Sequence, residues 1–175
     1  MANDDCRTPD EFYKQLDQVF HFKLDAAASK SNTKCKHYFI KKDNALKIPW
    51  TCSGWVWLNP PYSREAGGIT KWLGKAYTEV VVKGHCYGVV CLTICDVSTA
   101  TRDFAWYNAD EIVELCPRIN FASPGKGKRT GGFQAYQLVI FTQEERLRRM
   151  SRWNWKLDTF KQRDCFNLEK VIYEY

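Results

Sequence analysis

The chain has 175 residues, 45% hydrophobic and 15% aromatic, enough apolar material for one globular core and too much for a disordered segment. Its net charge of +6 and pI of about 8.9 favour an anionic partner such as nucleic acid. Eight cysteines would permit a disulfide framework, but Met1-Ala2-Asn3-Asp4-Asp5 is polar rather than a signal peptide and no Cys-x-x-Cys pair occurs. No apolar run reaches the roughly 18 residues that span a membrane, so a reduced, intracellular chain without a metal site or membrane segment is expected.

In chain order, Thr8, Pro9 and Glu11 form the pattern of a capping box with proline at the first helical position. Phe12, Leu16, Val19 and Phe20 follow at helical spacing, and the helix is predicted to end near Phe20 or His21. Phe22 to Asp25 reads as a short strand, followed by the small residues Ala26, Ala27, Ala28 and Ser29. Small side chains there suit either close approach of backbone to a ligand or simply a tight strand-to-loop turn. Lys30 to Lys36 is polar and loop-like, and Tyr38-Phe39-Ile40 is a second short strand or turn leading to Asp43-Asn44-Ala45-Leu46.

Trp55-Val56-Trp57-Leu58 is a buried strand broken by Asn59-Pro60-Pro61-Tyr62. The two prolines fix φ and remove two amide donors, so this corner is stiff and presents carbonyls. Asn59 adds an acceptor oxygen and Tyr62 a flat ring, a combination suited to gripping a planar group that carries an amine.

A glycine-rich loop from Ser63 to Gly68 leads to Ile69, Trp72, Leu73, Ala76, Tyr77 and Val80, one face of an amphipathic helix stopped by Gly84. The apolar run Tyr87 to Cys95 fits a strand buried on both faces, which with the preceding strand and helix makes a right-handed βαβ unit. Ser98 or Thr99 caps a predicted short helix through Tyr107, and Glu111 to Cys116 is a strand ended by Pro117. The loop from Ser123 to Gly132 carries Lys126, Lys128 and Arg129 among four glycines with no carboxylate. Phe133 to Phe141 returns as a strand. Thr142 and Glu145 suggest a second capping box opening a helix with Arg146, Arg148, Arg149 and Arg152. The basic loop and basic helix are either phosphate-binding surfaces or solvated faces. The tail from Trp153 to Tyr175 alternates aromatic and charged residues without assigning itself an element.

Read together, Thr8-Pro9, Leu24-Asp25, Asp43 to Leu46, Asn59 to Arg64 and Phe133 to Phe141 resemble, in consistent order over roughly the first 140 residues, the phage-type, Dam-like DNA adenine methyltransferases. The resemblance implies a compact α/β, Rossmann-like fold with a mostly parallel sheet and an antiparallel C-terminal strand. It would be one domain over 1–175 with a C-terminal extension at about 143–175. Only 34 positions separate Asp25 from Asn59, so the N-terminal half is shortened, and Asp25-Ala26-Ala27-Ala28-Ser29 stands where the family usually has a Phe-x-Gly-x-Gly pattern.

By the same resemblance, Asn59, Pro60, Pro61 and Tyr62 would be catalytic. S-adenosylmethionine would be held by Thr8, Pro9, Asp25, Ala26, Ala27, Ser29, Asp43 and Leu46 together with Asn59, with Asp43 reaching the ribose or the adenine of that cofactor. Double-stranded DNA would lie along Ser63, Arg64, Lys126, Lys128, Arg129, Arg146 and Arg149, with Phe121 or Phe133 packing in the core or against an extruded base. The implied reaction is methyl transfer to the N6 amine of a flipped-out adenine, in the cytoplasm of a bacterial host. Methylation of RNA, cytosine or a protein glutamine, or a catalytically silent DNA-binding relative, are the alternatives.

Overall fold

The computed structural model describes residues 7–95, 101–121, 134–144 and 149–167. Its centre is an eight-stranded mixed sheet in the order β2-β1-β3-β4-β6-β5-β7-β8. The strands are β1 (Leu24–Ala28), β2 (His37–Ile40), β3 (Trp55–Leu58), β4 (Gly88–Ile94), β5 (Glu111–Cys116), β6 (Tyr136–Thr142), β7 (Arg149–Asn154) and β8 (Asp164–Asn167). β2, β1, β3 and β4 run parallel to one another, and β5 and β7 are also a parallel pair. β6 is antiparallel to both of its neighbours, β4 and β5, and β8 is antiparallel to β7. The sheet is mixed: its reversed strand β6 is internal because β5 pairs along its other edge, and the tail adds β7 and β8 beyond β5.

Alternation of side chains along the central strands builds two cores, one on each face. Val56 and Leu58 of β3, Val89 and Cys91 of β4, and Val139 and Phe141 of β6 meet helix α2 (Gly68–Tyr77) through Trp72, Leu73 and Ala76. Trp57, Val90, Leu92, Leu138 and Ile140 face the other way and meet helix α1 (Asp10–Phe20) through Phe12, Tyr13, Leu16 and Phe20. The near-continuous hydrophobicity of β4 is thus a strand covered on both faces. Gly88 is required where β4 passes β3, since a Cβ there would lie 2.3 Å from the Trp55 ring.

α1 ends as expected, with His21 in the left-handed region at φ 51 and its N–H bonded to the Asp17 carbonyl. The predicted capping box does not form: Pro9 precedes the helix and no side chain caps it. Thr8 instead meets Asn59 just beyond the end of β3, and Glu11 pairs with Lys156. β1 starts two residues later than predicted, at Leu24, and runs on through the three alanines. Between β1 and β3 the chain forms only β2 and one 3-10 turn, Lys41–Asp43, which accounts for the short spacing from Asp25 to Asn59.

α2 widens into a π-type turn, Thr78–Val82, before Gly84 at φ 63 ends it. That turn buries Glu79, only 2% exposed, against three donors: Lys75 Nζ at 2.6 Å, the Trp50 amide at 2.6 Å and His85 Nδ1 at 2.8 Å. Burial alone would raise its pKa, but these donors outweigh it and hold the carboxyl below its ordinary value.

The predicted basic helix after Thr142 is replaced by strand β7, with residues 145–148, including Arg146, outside the described residues. The reason is period 2 rather than 3.6: Ser151 and Trp153 are buried while Arg152 between them is exposed. Arg149 Nη2 pairs at 2.8 Å with Glu111, which is buried on β5 and also bonded by Arg163 Nε and Ser151 Oγ. Thr142 ends β6 rather than capping a helix, its Oγ1 accepting the Glu144 amide at 3.2 Å. The helix predicted before Tyr107 is a π-type turn, Thr101–Trp106, and its proposed caps Ser98 and Thr99 lie outside the described residues. Among the described residues no helix is long and apolar enough to cross a membrane.

Glu79→Ala is expected to lower the free energy of unfolding by about 3 kcal/mol at neutral pH, because it strands Lys75 and a buried amide. Since the folded-state pKa is depressed, this contribution exists above the unfolded value and is lost as pH falls through the folded one. Urea titrations at pH 7 and in mild acid should therefore show the gap between the two chains closing on acidification.

Candidate active site

The order β2-β1-β3 reverses direction at β1: the chain leaves β1 to one side for β2 and returns across it to β3. In an open sheet such a reversal leaves a crevice beyond the carboxyl ends of the strands. A cavity of about 560 Å³ occupies it. Its walls are the end of β1 (Ala26, Ala27, Ala28) with Ser29, the end of β2 with Lys41, and the corner after β3 with Asn59 and Pro61. Leu46 and Trp72 add apolar surface, and Arg64 and Lys71 stand at its border.

Parallel pairing sets Asp25 level with Trp57, so their side chains emerge on the same face, and Asn59 emerges there too. Arg7, Thr8, Asp25 and Asn59 consequently share a narrow cleft, which has Ala27, Asn32 and Asn59 in common with the main cavity. Asp25 is 3% exposed. Its Oδ1 accepts the Ala27 amide at 3.3 Å and its Oδ2 the Lys34 amide at 2.9 Å. Burial outweighs these bonds and pushes its carboxyl up to about 6. Arg7 and Lys34 line the same cleft, but among the described residues no side-chain cation forms an ion pair with Asp25, and Lys34 Nζ pairs with Asp10.

At the corner, Asn59 Nδ2 donates to Thr8 Oγ1 at 3.2 Å. Asn59 Oδ1 is buried and, among the described residues, has no hydrogen-bond partner. An orphaned buried acceptor costs about 1–3 kcal/mol, which a bound donor would recover. Pro60 is buried behind it. Tyr62 donates its hydroxyl to the Leu92 carbonyl at 3.0 Å, and its ring meets Tyr136 edge to face at 6.5 Å. Phe121 packs on Tyr136 in turn, so it belongs to the aromatic packing behind the corner, while Phe133 lies outside the described residues.

Of the residues singled out from sequence, the crevice thus gathers Thr8, Asp25, Ala26, Ala27, Ser29, Leu46, Asn59, Pro61 and Arg64 in its two cavities. Pro9 starts α1, its carbonyl accepting the Tyr13 amide at 3.1 Å. Asp43 is turned away, its exposed carboxylate accepting the Ile40 amide at 2.8 Å, and Lys41 and Asn44 line the cavity from that turn instead. Ser63 shapes the next turn, its Oγ accepting the Ala66 amide at 3.3 Å. Lys126, Lys128 and Arg129 lie outside the described residues. Arg149 is engaged by Glu111 on β5 and does not form a basic surface with a helix. Phe39 and Trp72, expected only in a short strand or turn and on a helix face, are wall residues of the cavity. Gly67, at φ 104 beside Leu46, also lines the cavity.

The raised value for Asp25 has a definite sign. It gives a stability contribution present below the unfolded range and lost as pH rises through about 6. Carbon-13 NMR of the ligand-free protein should show the Asp25 carboxyl titrating near that value. The stability of the wild type relative to Asp25→Asn should fall across the same interval.

Residues 1–164 match the family described as Dam, DNA N-6-adenine-methyltransferase. A protein of Escherichia phage T1, named DNA N-6-adenine-methyltransferase, is 36% identical over 107 residues, covering 61% of this chain and 42% of the phage protein. The aligned part is therefore less than half the length of that relative. With the family match extending over nearly all of the described sheet and both walls of the crevice, the chain belongs to the Dam family of DNA N-6-adenine-methyltransferases.

Proposed function

We propose that this chain transfers a methyl group from S-adenosylmethionine to the N6 amine of an adenine flipped out of double-stranded DNA, in the cytoplasm of a bacterial host. The observation that carries the reading is the unpartnered, buried Oδ1 of Asn59, bordering a cavity that also meets the Asp25 cleft. The sheet is read as a Rossmann-like methyltransferase fold, shortened between β1 and β3, and the whole chain as one domain with β7 and β8 as its C-terminal extension.

The residues present fit the cofactor. A cavity of about 560 Å³ lies within the range that small-molecule sites occupy. The β1 alanines keep side chains out of it, so the strand end can approach a ligand closely. Asp25 would hold the methionine ammonium, and Phe39, Leu46 and Trp72 offer apolar surface for the adenine ring. When bound, S-adenosylmethionine supplies a methyl group already activated by its sulfonium, which leaves the protein to position the reactants.

At the substrate side, the exocyclic amine of adenine is a weak nucleophile because its lone pair is delocalised into the ring. Asn59 Oδ1 and the Pro60 carbonyl would accept its two hydrogens and favour the tetrahedral geometry in which that lone pair is free. The prolines keep these acceptors in place before the amine arrives. Tyr62, its hydroxyl held by Leu92, offers a ring of fixed attitude on which the base can stack, offsetting part of the few kcal/mol of unstacking. The alkylated amine is acidic and releases its proton without a dedicated base. Arg64 and Lys71 at the cavity border are the described cations best placed for nearby phosphates.

Incubation with radiolabelled S-adenosylmethionine and unmethylated duplex DNA, with RNA and protein as controls, should label the DNA at adenine N6. Absence of label in every DNA tested overturns the proposal. Asn59→Ala should reduce transfer by about a hundredfold or more, while calorimetry still finds cofactor binding. Because Asp25 must be ionised to meet an ammonium, cofactor affinity should weaken as pH falls through about 6 and level off above it. A flat profile from pH 5 to 8 would remove Asp25 from the cofactor site.

A further inference from the structure

We propose that Thr8 is a positioning residue for Asn59, its hydroxyl acting on the acceptor of the substrate amine rather than on the cofactor. The inference rests on the methylation reading of the crevice. Thr8 is 4% exposed and lies between Arg7 and the start of α1. Its hydroxyl serves no helix end, since α1 has no side-chain cap. It meets the Asn59 carboxamide, 51 positions along the chain, at 3.2 Å.

A carboxamide on a short side chain turns readily about its terminal torsion, which is broad and roughly two-fold. Its two ends are nearly the same size and opposite in polarity. Presented to an amine, the oxygen accepts a hydrogen, whereas the NH2 end opposes it with hydrogens of its own. Asn59 therefore needs its plane held, and held with the oxygen free. In the arrangement seen, Nδ2 is engaged by Thr8 and Oδ1 is the buried atom without a partner. The prolines fix the backbone of the corner but leave this torsion untouched; the Thr8 hydroxyl is the described contact that restrains it.

The site also explains the position of Thr8 in space. Asp25, Trp57 and Asn59 project on the α1 face of the sheet, and the segment entering α1 crosses that face beside their cleft. One segment therefore borders both the proposed ammonium site at Asp25 and the proposed amine acceptor at Asn59. Its order would couple the geometry of the two reactants.

Thr8→Val keeps the side-chain shape and removes the hydroxyl; Thr8→Ser keeps the hydroxyl. Three measurements read them: exchange of the Asn59 side-chain amide protons in the ligand-free protein, the Kd for S-adenosylmethionine by calorimetry, and kcat and KM for methyl transfer to duplex DNA. The Val variant should lose amide protection and about tenfold in kcat, the scale of one lost hydrogen bond. Its cofactor Kd should stay within about twofold, a change too small to register as the loss of a contact. The Ser variant should recover both losses. Wild-type kcat in the Val variant, or a weakened cofactor Kd with kcat intact at saturation, overturns the positioning role. If Thr8→Val does not fold, Thr8→Ala removes the same hydroxyl and is read against the same outcomes. A wild-type chain that methylates no DNA would instead overturn the methylation reading, a result separate from the amide exchange, which needs no substrate.

Discussion

The parallel pairing of β1 with β3 is the constraint from which the site follows. With Asp25 level with Trp57, alternation of side chains puts Asp25, Trp57 and Asn59 on one face and Ala26, Val56 and Leu58 on the other. A slip of one residue in this pairing would put Asp25 and Asn59 on opposite faces of the sheet, sending one of them into the α2 core. The register is held because both faces are covered: Val56 and Leu58 are buried under α2 and Trp57 under α1. Burial of the strands and placement of polar groups at their ends are thus one requirement.

The two helices have unequal tasks around this pair. α2 closes one face and, through Trp72, continues into the cavity wall, its indole Nε1 donating to the Ala66 carbonyl at 3.0 Å. Its end is tied to the segment before β3 by Glu79, whose carboxylate accepts the Trp50 amide. α1 closes the other face, and the residues entering it run beside the Asp25–Asn59 cleft. The corner at Asn59 therefore sits between a rigid βαβ unit on one side and the entry to α1 on the other.

The carboxylates show how environment separates function from framework. Glu79 and Glu111 are as buried as Asp25, but each is surrounded by charged or hydroxyl donors that hold its pKa down. Asp25 has two backbone amides and the more distant Lys34 charge, and burial prevails. The first two are satisfied within the fold and stabilise it. Asp25 is left with its pKa raised by burial, the environment the proposed cofactor role draws on.

Much of this was legible in the residues. β3, β4, β5 and α2 follow from uninterrupted apolar runs or a clear helical face, because strands covered on both sides and helices covered on one leave strong patterns. The stiffness of Asn59-Pro60-Pro61-Tyr62 is intrinsic to proline, so the corner needed no tertiary information. The segment after Thr142 was not legible in this way. Its local capping pattern and its arginines suit a helix, yet the buried Glu111 offers Arg149 and Arg163 a partner that only a β5–β7 pairing can bring within reach. Thr8 was misplaced for the same reason: a helix-capping pattern lost to a hydroxyl acceptor for Asn59. By itself, then, the sequence determined the stiff Asn-Pro-Pro-Tyr corner, the central strands and a family resemblance that the match over residues 1–164 bears out. Tertiary structure decided which groups face each other across the crevice, because contacts between residues 51 or 38 positions apart depend on sheet register and strand order, which no local pattern encodes.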